Sequence, residues 1–120
     1  VVVCAPRTPD TAGLVGKEQL AAMKKGAYLV DISRGGVVDQ EALLAALEHK
    51  KIGGAALDVF EDEPLPEENP LWELPNVIIT PHIAWYGNNR ERQVALAREN
   101  IRRFIAGDPL LNVVDPERGY

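Results

Sequence analysis

Three consecutive stretches decide the fold: Tyr28-Leu29-Val30-Asp31-Ile32, then Asp39-Gln40-Glu41-Ala42-Leu43-Leu44-Ala45-Ala46-Leu47-Glu48-His49-Lys50, then Ala55-Ala56-Leu57-Asp58-Val59. The first and third are short, nearly continuous apolar runs, as expected of strands covered on both faces in a parallel sheet. The middle stretch has helical spacing. Leu43, Leu44 and Leu47 form an apolar stripe, Asp39 can cap the N-terminus, and Glu41 suits the first turn. Strand, helix and strand in that order predict a right-handed crossover and parallel pairing.

The same alternation extends outward. Val1 to Cys4 reads as an earlier strand. Lys17 to Lys25 reads as a helix with Leu20 and Met23 on one face, two lysines in its last turn and Gly26 as its C-terminal cap. Val77 to Thr80 is a further strand. Residues 61–75 before it hold four prolines among acidic side chains, which predicts an irregular surface loop rather than a third crossover helix. A last helix is expected over Arg90 to Ala106. Val94, Ala97, Ile101 and Ile105 recur at helical spacing, Asn88 or Asn89 can cap it, and Gly107 follows its end. The tail Asp108 to Tyr120, with Pro109 and Pro116, reads as extended.

Composition bounds the function. With 120 residues the chain is one small domain, and 46% hydrophobic with 26% charged content is ordinary for a soluble protein. A net charge of -5 argues against a nucleic-acid or anionic-membrane surface. The single cysteine, Cys4, excludes an intrachain disulfide and a cysteine-rich metal site, and points to a reducing, cytoplasmic compartment. No apolar run approaches the roughly 20 residues needed to span a membrane. The opening Val1-Val2-Val3-Cys4-Ala5-Pro6 lacks an initiator methionine and reads as the middle of a fold, so a fragment is expected. An unpaired first strand would then be an exposed apolar edge, which favours a homodimer.

The chemistry-bearing residues follow the strands. In open α/β sheets, ligands bind at the C-terminal strand ends. Arg34, in Ser33-Arg34-Gly35-Gly36, offers a planar fork for a carboxylate or phosphate; the alternative is a surface arginine before a turn. Asp58 interrupts the end of an apolar run, so it either caps local backbone N–H groups or contacts a ligand. Glu63, in Phe60-Glu61-Asp62-Glu63-Pro64, is by itself as well explained by a solvated acidic loop. His82, in Thr80-Pro81-His82-Ile83, could exchange protons near neutral pH, against the reading of a structural histidine.

Taken in order, three motifs resemble one family. Leu29-Val30-Asp31-Ile32-Ser33-Arg34-Gly35-Gly36-Val37-Val38-Asp39, Ala56-Leu57-Asp58-Val59-Phe60-Glu61-Asp62-Glu63-Pro64 and Asn76-Val77-Ile78-Ile79-Thr80-Pro81-His82-Ile83-Ala84 resemble successive signatures of the D-isomer-specific 2-hydroxyacid dehydrogenases. The resemblance implies the second half of a Rossmann-type parallel sheet with flanking helices, a three-layer αβα arrangement. Residues 1–107 would form the C-terminal portion of the NAD-binding domain with its return helix, and 108–120 an extended tail of the substrate domain. It also implies NAD, with NADP not excluded, and a small 2-hydroxy or 2-keto acid substrate. Arg34, Glu63 and His82 would be catalytic: His82 as acid/base, Glu63 as its carboxylate partner in preference to Glu61, Arg34 on the substrate carboxylate. Asp58 would accept from the nicotinamide carboxamide. Cys4, Ala5, Pro6, Ile32, Ser33 and Ala84 would line the cofactor together with Arg34 and His82. No metal is implied.

Some residues depart from that pattern. Asp31 and Ile32 stand where many members carry Asn and Thr, and Trp85-Tyr86 replaces smaller residues. No Gly-x-Gly-x-x-Gly fingerprint occurs, nor the acidic residue that would hold the adenosine ribose. Two alternatives therefore stand beside the enzyme: a catalytically inert half-domain, and an NAD-sensing regulator of the same fold.

Overall fold

The computed structural model describes residues 1–85, 87 and 90–119. They form two compact units, Val1–Ala84 and Trp85–Tyr120. The first unit runs β1 (Val2–Val3), α1 (Lys17–Ala22), β2 (Tyr28–Asp31), α2 (Gln40–Glu48), β3 (Gly54–Leu57), a 3-10 turn (Pro70–Glu73) and β4 (Val77–Ile79). All four strands pair in parallel in the order β1-β2-β3-β4. The α/β parallel sheet with flanking helices is as the alternation of apolar runs predicts.

Register sorts the strand residues onto two faces. Val3, Leu29, Ala55 and Leu57 join Leu20 of α1, Leu43 and Leu47 of α2 and Leu71 of the 3-10 turn in one buried core. The opposite face stays open: Val2, Tyr28 and Ile78 are 62%, 64% and 66% exposed. The reason is topological. When each new strand is added on the same side and every crossover has one hand, all the connections land on one face. Within Val1–Ala84 the helices thus cover one face of the sheet.

Helix ends show local chemistry at work. Asp39 caps α2 by accepting from Ala42 N at 2.9 Å. At the other end Lys50 takes a left-handed φ of 52°, with Lys51 N donating to Ala46 O and Lys50 N to Leu47 O. These two bonds make a Schellman ending on a residue other than glycine. Asp39→Ala removes the N-terminal cap and is expected to cost about 1 kcal/mol, read as a lower urea midpoint with an unchanged slope.

Two helix boundaries differ from expectation. α1 stops at Ala22, because Met23 is already extended. Lys24 to Ala27 then form a turn closed by Ala27 N donating to Lys24 O, with Gly26 at φ 83° in its third position. Gly26 therefore serves that turn and not the helix cap. Residues 61–75 are irregular as expected, except that Asn69 caps the short Pro70–Glu73 turn by accepting from Leu71 N, which drives Leu71 into the core.

In the second unit α3 spans Arg90–Ala106, as its periodicity predicts, and Gly107 follows at φ 74°. None of its side chains is buried; Val94, Ile101 and Ile105 of the apolar stripe are exposed. The proposed caps Asn88 and Asn89 lie outside the described residues. The tail does not run straight. Asn100 holds Leu111 from both sides, donating to its carbonyl and accepting from its N–H, and Arg103 donates to Pro109 O. On the same helix Arg102 and Arg103 both pair with Glu99, pulling its carboxyl down to about 2.

Candidate active site at the C-terminal edge of the sheet

Hydrogen bonding brings the loops after β1, β2, β3 and β4 to one edge. Ile32 N donates to Val3 O, Asp58 N to Asp31 O and Thr80 N to Leu57 O, each at 2.9–3.1 Å. These bonds carry the parallel ladder one residue past the strands. Each loop therefore begins at the same level.

After β2, the buried Asp31 organises the Arg34 loop. Its Oδ1 accepts from Ser33 N at 3.0 Å and from Ser33 Oγ at 2.5 Å, and the Ser33 carbonyl accepts from Arg34 Nη1 at 2.7 Å. Arg34 itself is exposed. Gly35 lies so close to the next loop that a Cβ there would sit 1.8 Å from Phe60 O. The Arg7 guanidinium lies against Gly36, a neighbour that sequence reasoning missed.

After β3 and β4 the two remaining candidates meet. Glu63 Oε2 accepts from His82 Nδ1 at 2.8 Å, and Glu63 Oε1 accepts from Phe60 N at 2.9 Å. Those bonds, first from His82 and then from Phe60, hold the Glu63 carboxyl below its ordinary range. Glu61 turns elsewhere and accepts from Gln40 N at the start of α2. His82 has a left-handed φ of 54°, uncommon for a residue with a Cβ. Beside the pair lies a cleft of about 410 Å³ lined by Phe60, Leu65, Trp72, Ile79 and Pro81. One wall beside the His82–Glu63 pair is thus apolar.

Asp58 is buried and accepts three hydrogen bonds from the segment around His82. Its Oδ1 accepts from Thr80 Oγ1 at 2.5 Å and from Ile83 N at 2.9 Å, and its Oδ2 from Ala84 N at 2.8 Å. Burial pushes its carboxyl up, but the bonds from Thr80, Ala84 and Ile83 outweigh that and leave it below the ordinary range. Thr80 carried no signal in the sequence beyond being a hydroxyl beside Pro81-His82.

Asp31 shows the opposite balance: burial pushes its carboxyl up, only partly offset by Ser33. A carboxyl raised by folding contributes most below its unfolded pKa of about 3.9, and that contribution is lost as pH rises through the folded value. Both Ser33 bonds fall on Oδ1, which an amide oxygen can replace. Asp31→Asn is therefore expected to raise the melting temperature at pH 7 by about 2–4 °C, with the gain shrinking toward pH 4. A melting series across that range checks the sign.

Comparison with known proteins decides the kinship. Residues 1–84 match the family model described as D-isomer specific 2-hydroxyacid dehydrogenase, NAD binding domain. The chain belongs to this dehydrogenase family. A solved D-isomer specific 2-hydroxyacid dehydrogenase from Xanthobacter autotrophicus Py2, in complex with NADPH and MES, is 50% identical with a TM-score of 0.90, over 99% of this chain and 49% of that one. The NADPH-dependent glyoxylate/hydroxypyruvate reductase from Sinorhizobium meliloti, in complex with NADP and sulfate, is 35% identical with a TM-score of 0.88, over 99% of this chain and 39% of that one. Glyoxylate/hydroxypyruvate reductase A from Klebsiella pneumoniae is 44% identical over 115 residues, 96% of this chain. The chain spans 36% of that relative's length.

The dehydrogenase edge fits a nicotinamide group chemically. A carboxylate has about four lone-pair sites, and Asp58 uses three, so it can accept one more donor of the kind a carboxamide NH₂ offers. Among the described residues no cluster of His, Cys, Asp and Glu could hold a metal ion, and no helix is long and apolar enough to cross a membrane.

Proposed function

We propose that this chain carries the acid/base and carboxylate-binding residues of an NAD(P)-dependent oxidoreductase that interconverts a D-2-hydroxy acid and its 2-keto acid, with glyoxylate and hydroxypyruvate as the substrate class. The observation that carries the reading is the 2.8 Å His82–Glu63 pair on the same sheet edge as Arg34.

In reduction, protonated His82 gives its proton to the keto oxygen; in oxidation the neutral ring takes the hydroxyl proton back. Nδ1 is directed at Glu63, and the transfer is proposed to run through Nε2. Glu63, held as a carboxylate, fixes the ring's orientation through the 2.8 Å bond. Arg34 binds the substrate carboxylate and, with the acid, stabilises negative charge growing on the keto oxygen. Asp58 holds the carboxamide, while Cys4, Ala5, Pro6, Ile32, Ser33 and Ala84 line the remaining cofactor surface. A nicotinamide cofactor, when bound, supplies or receives the hydride.

The chain is proposed to work within a longer protein of its relatives' size, as a cytoplasmic homodimer, and to be inactive by itself. Residues 1–107 would complete the cofactor-binding domain and 108–120 enter the substrate domain. The open sheet face and the sheet-edge position of β1 support work within a longer protein. The test is NADPH or NADH oxidation with glyoxylate and hydroxypyruvate, on the full-length protein and on the 120-residue chain. Turnover is expected only in the former. A full-length protein that binds cofactor and turns over neither acid would favour the regulator instead.

A further inference from the structure

We propose that Thr80 is a positioning residue for proton transfer at His82, acting through Asp58; the inference rests on the acid/base role of His82. The three donors to Asp58 bracket the histidine. Thr80 lies two residues before it, Ile83 one after and Ala84 two after. Between them His82 holds a left-handed φ of 54°. That conformation is unfavourable in a residue with a Cβ, so it persists only where its surroundings enforce it.

The donors differ in what anchors them. Ile83 N and Ala84 N belong to the turn being held and cannot by themselves fix its place. Thr80 is tied to the sheet, because its own N–H donates to Leu57 O at 2.9 Å. Its hydroxyl therefore orients the Asp58 carboxylate relative to the sheet, and the carboxylate then places Ile83 and Ala84. The Thr80 carbonyl completes the turn by accepting from His82 N at 3.1 Å. A threonine that merely satisfied a buried carboxylate would affect stability without acting through the histidine.

A double-mutant cycle in the full-length protein separates these roles. The variants are Thr80→Val, Thr80→Ser, His82→Asn and Thr80→Val with His82→Asn. Asparagine is chosen at 82 because it tolerates the left-handed backbone and cannot relay the proton. Thr80→Val is expected to lower kcat about 10- to 100-fold, the cost of slight misplacement of a reacting group, with KM changed less than about twofold. Thr80→Ser should recover most of the rate, and Thr80→Val should slow the His82→Asn protein no further. An unchanged kcat in Thr80→Val, or an equal loss in the His82→Asn background, overturns the role of Thr80. Wild-type kcat in His82→Asn alone overturns the acid/base reading beneath it. Thermal melts accompany each variant, and Thr80→Ala runs the same cycle should the valine variant not fold.

Discussion

His82→Asn is expected to reduce kcat for keto-acid reduction about 10²–10⁴-fold, the usual contribution of a positioned general acid. Asparagine retains the φ of 54° that alanine would strain, so the loss reports proton transfer and not a collapsed turn. Glu63 keeps its second anchor, because Phe60 N still donates to Oε1. Cofactor affinity and KM should therefore change little, which distinguishes a group acting in the transition state from one that binds substrate. Steady-state kinetics at saturating cofactor, with cofactor affinity measured by fluorescence titration, is the check. A loss smaller than tenfold would remove His82 from the chemistry.

Gly35→Ala is expected to be the most damaging small substitution in the chain. The new Cβ would meet Phe60 O at 1.8 Å and Phe60 C at 2.5 Å, and both are backbone atoms that no rotamer change can move aside. Overpacking of this kind costs about 1–3 kcal/mol, and a backbone obstacle belongs at or above the upper end. The effect should reach the site as well. Phe60 also donates its own N–H to Glu63, so forcing the Arg34 loop against the Phe60 carbonyl disturbs the anchor of the His82 partner. Urea unfolding should show a lower midpoint, and kcat/KM should fall further than stability loss alone would produce. A variant with wild-type midpoint and activity would contradict the close approach of the two loops.

Much of this was legible in the sequence, for identifiable reasons. Strands covered on at least one face need apolar runs, and the helices between them need 3.6-residue spacing and a cap, so β2, α2 with Asp39, and β3 announced themselves. α3 showed its full length through Val94, Ala97, Ile101 and Ile105, but the pattern did not reveal that these side chains are exposed here. The end of α1 is not legible in the sequence, because a glycine after two lysines suits a helix cap and a type II turn equally well. Glu63 was separated from Glu61 only by family resemblance; the structure separates them by their partners, His82 for one and Gln40 for the other.

The sequence by itself determined the parallel α/β plan, the succession of its strands and helices along the chain and the family signatures that carry Arg34, Glu63 and His82, because these depend on local periodicity and residue type. Only the tertiary structure decided which groups meet. Glu63 and His82 are 19 residues apart and Asp58 and Thr80 are 22, and each pair closes because parallel register aligns the ends of β3 and β4. It also decided that α1, α2 and the 3-10 turn share one face of the sheet, since with crossovers of one hand this follows from each strand adding on the same side, which no single segment specifies.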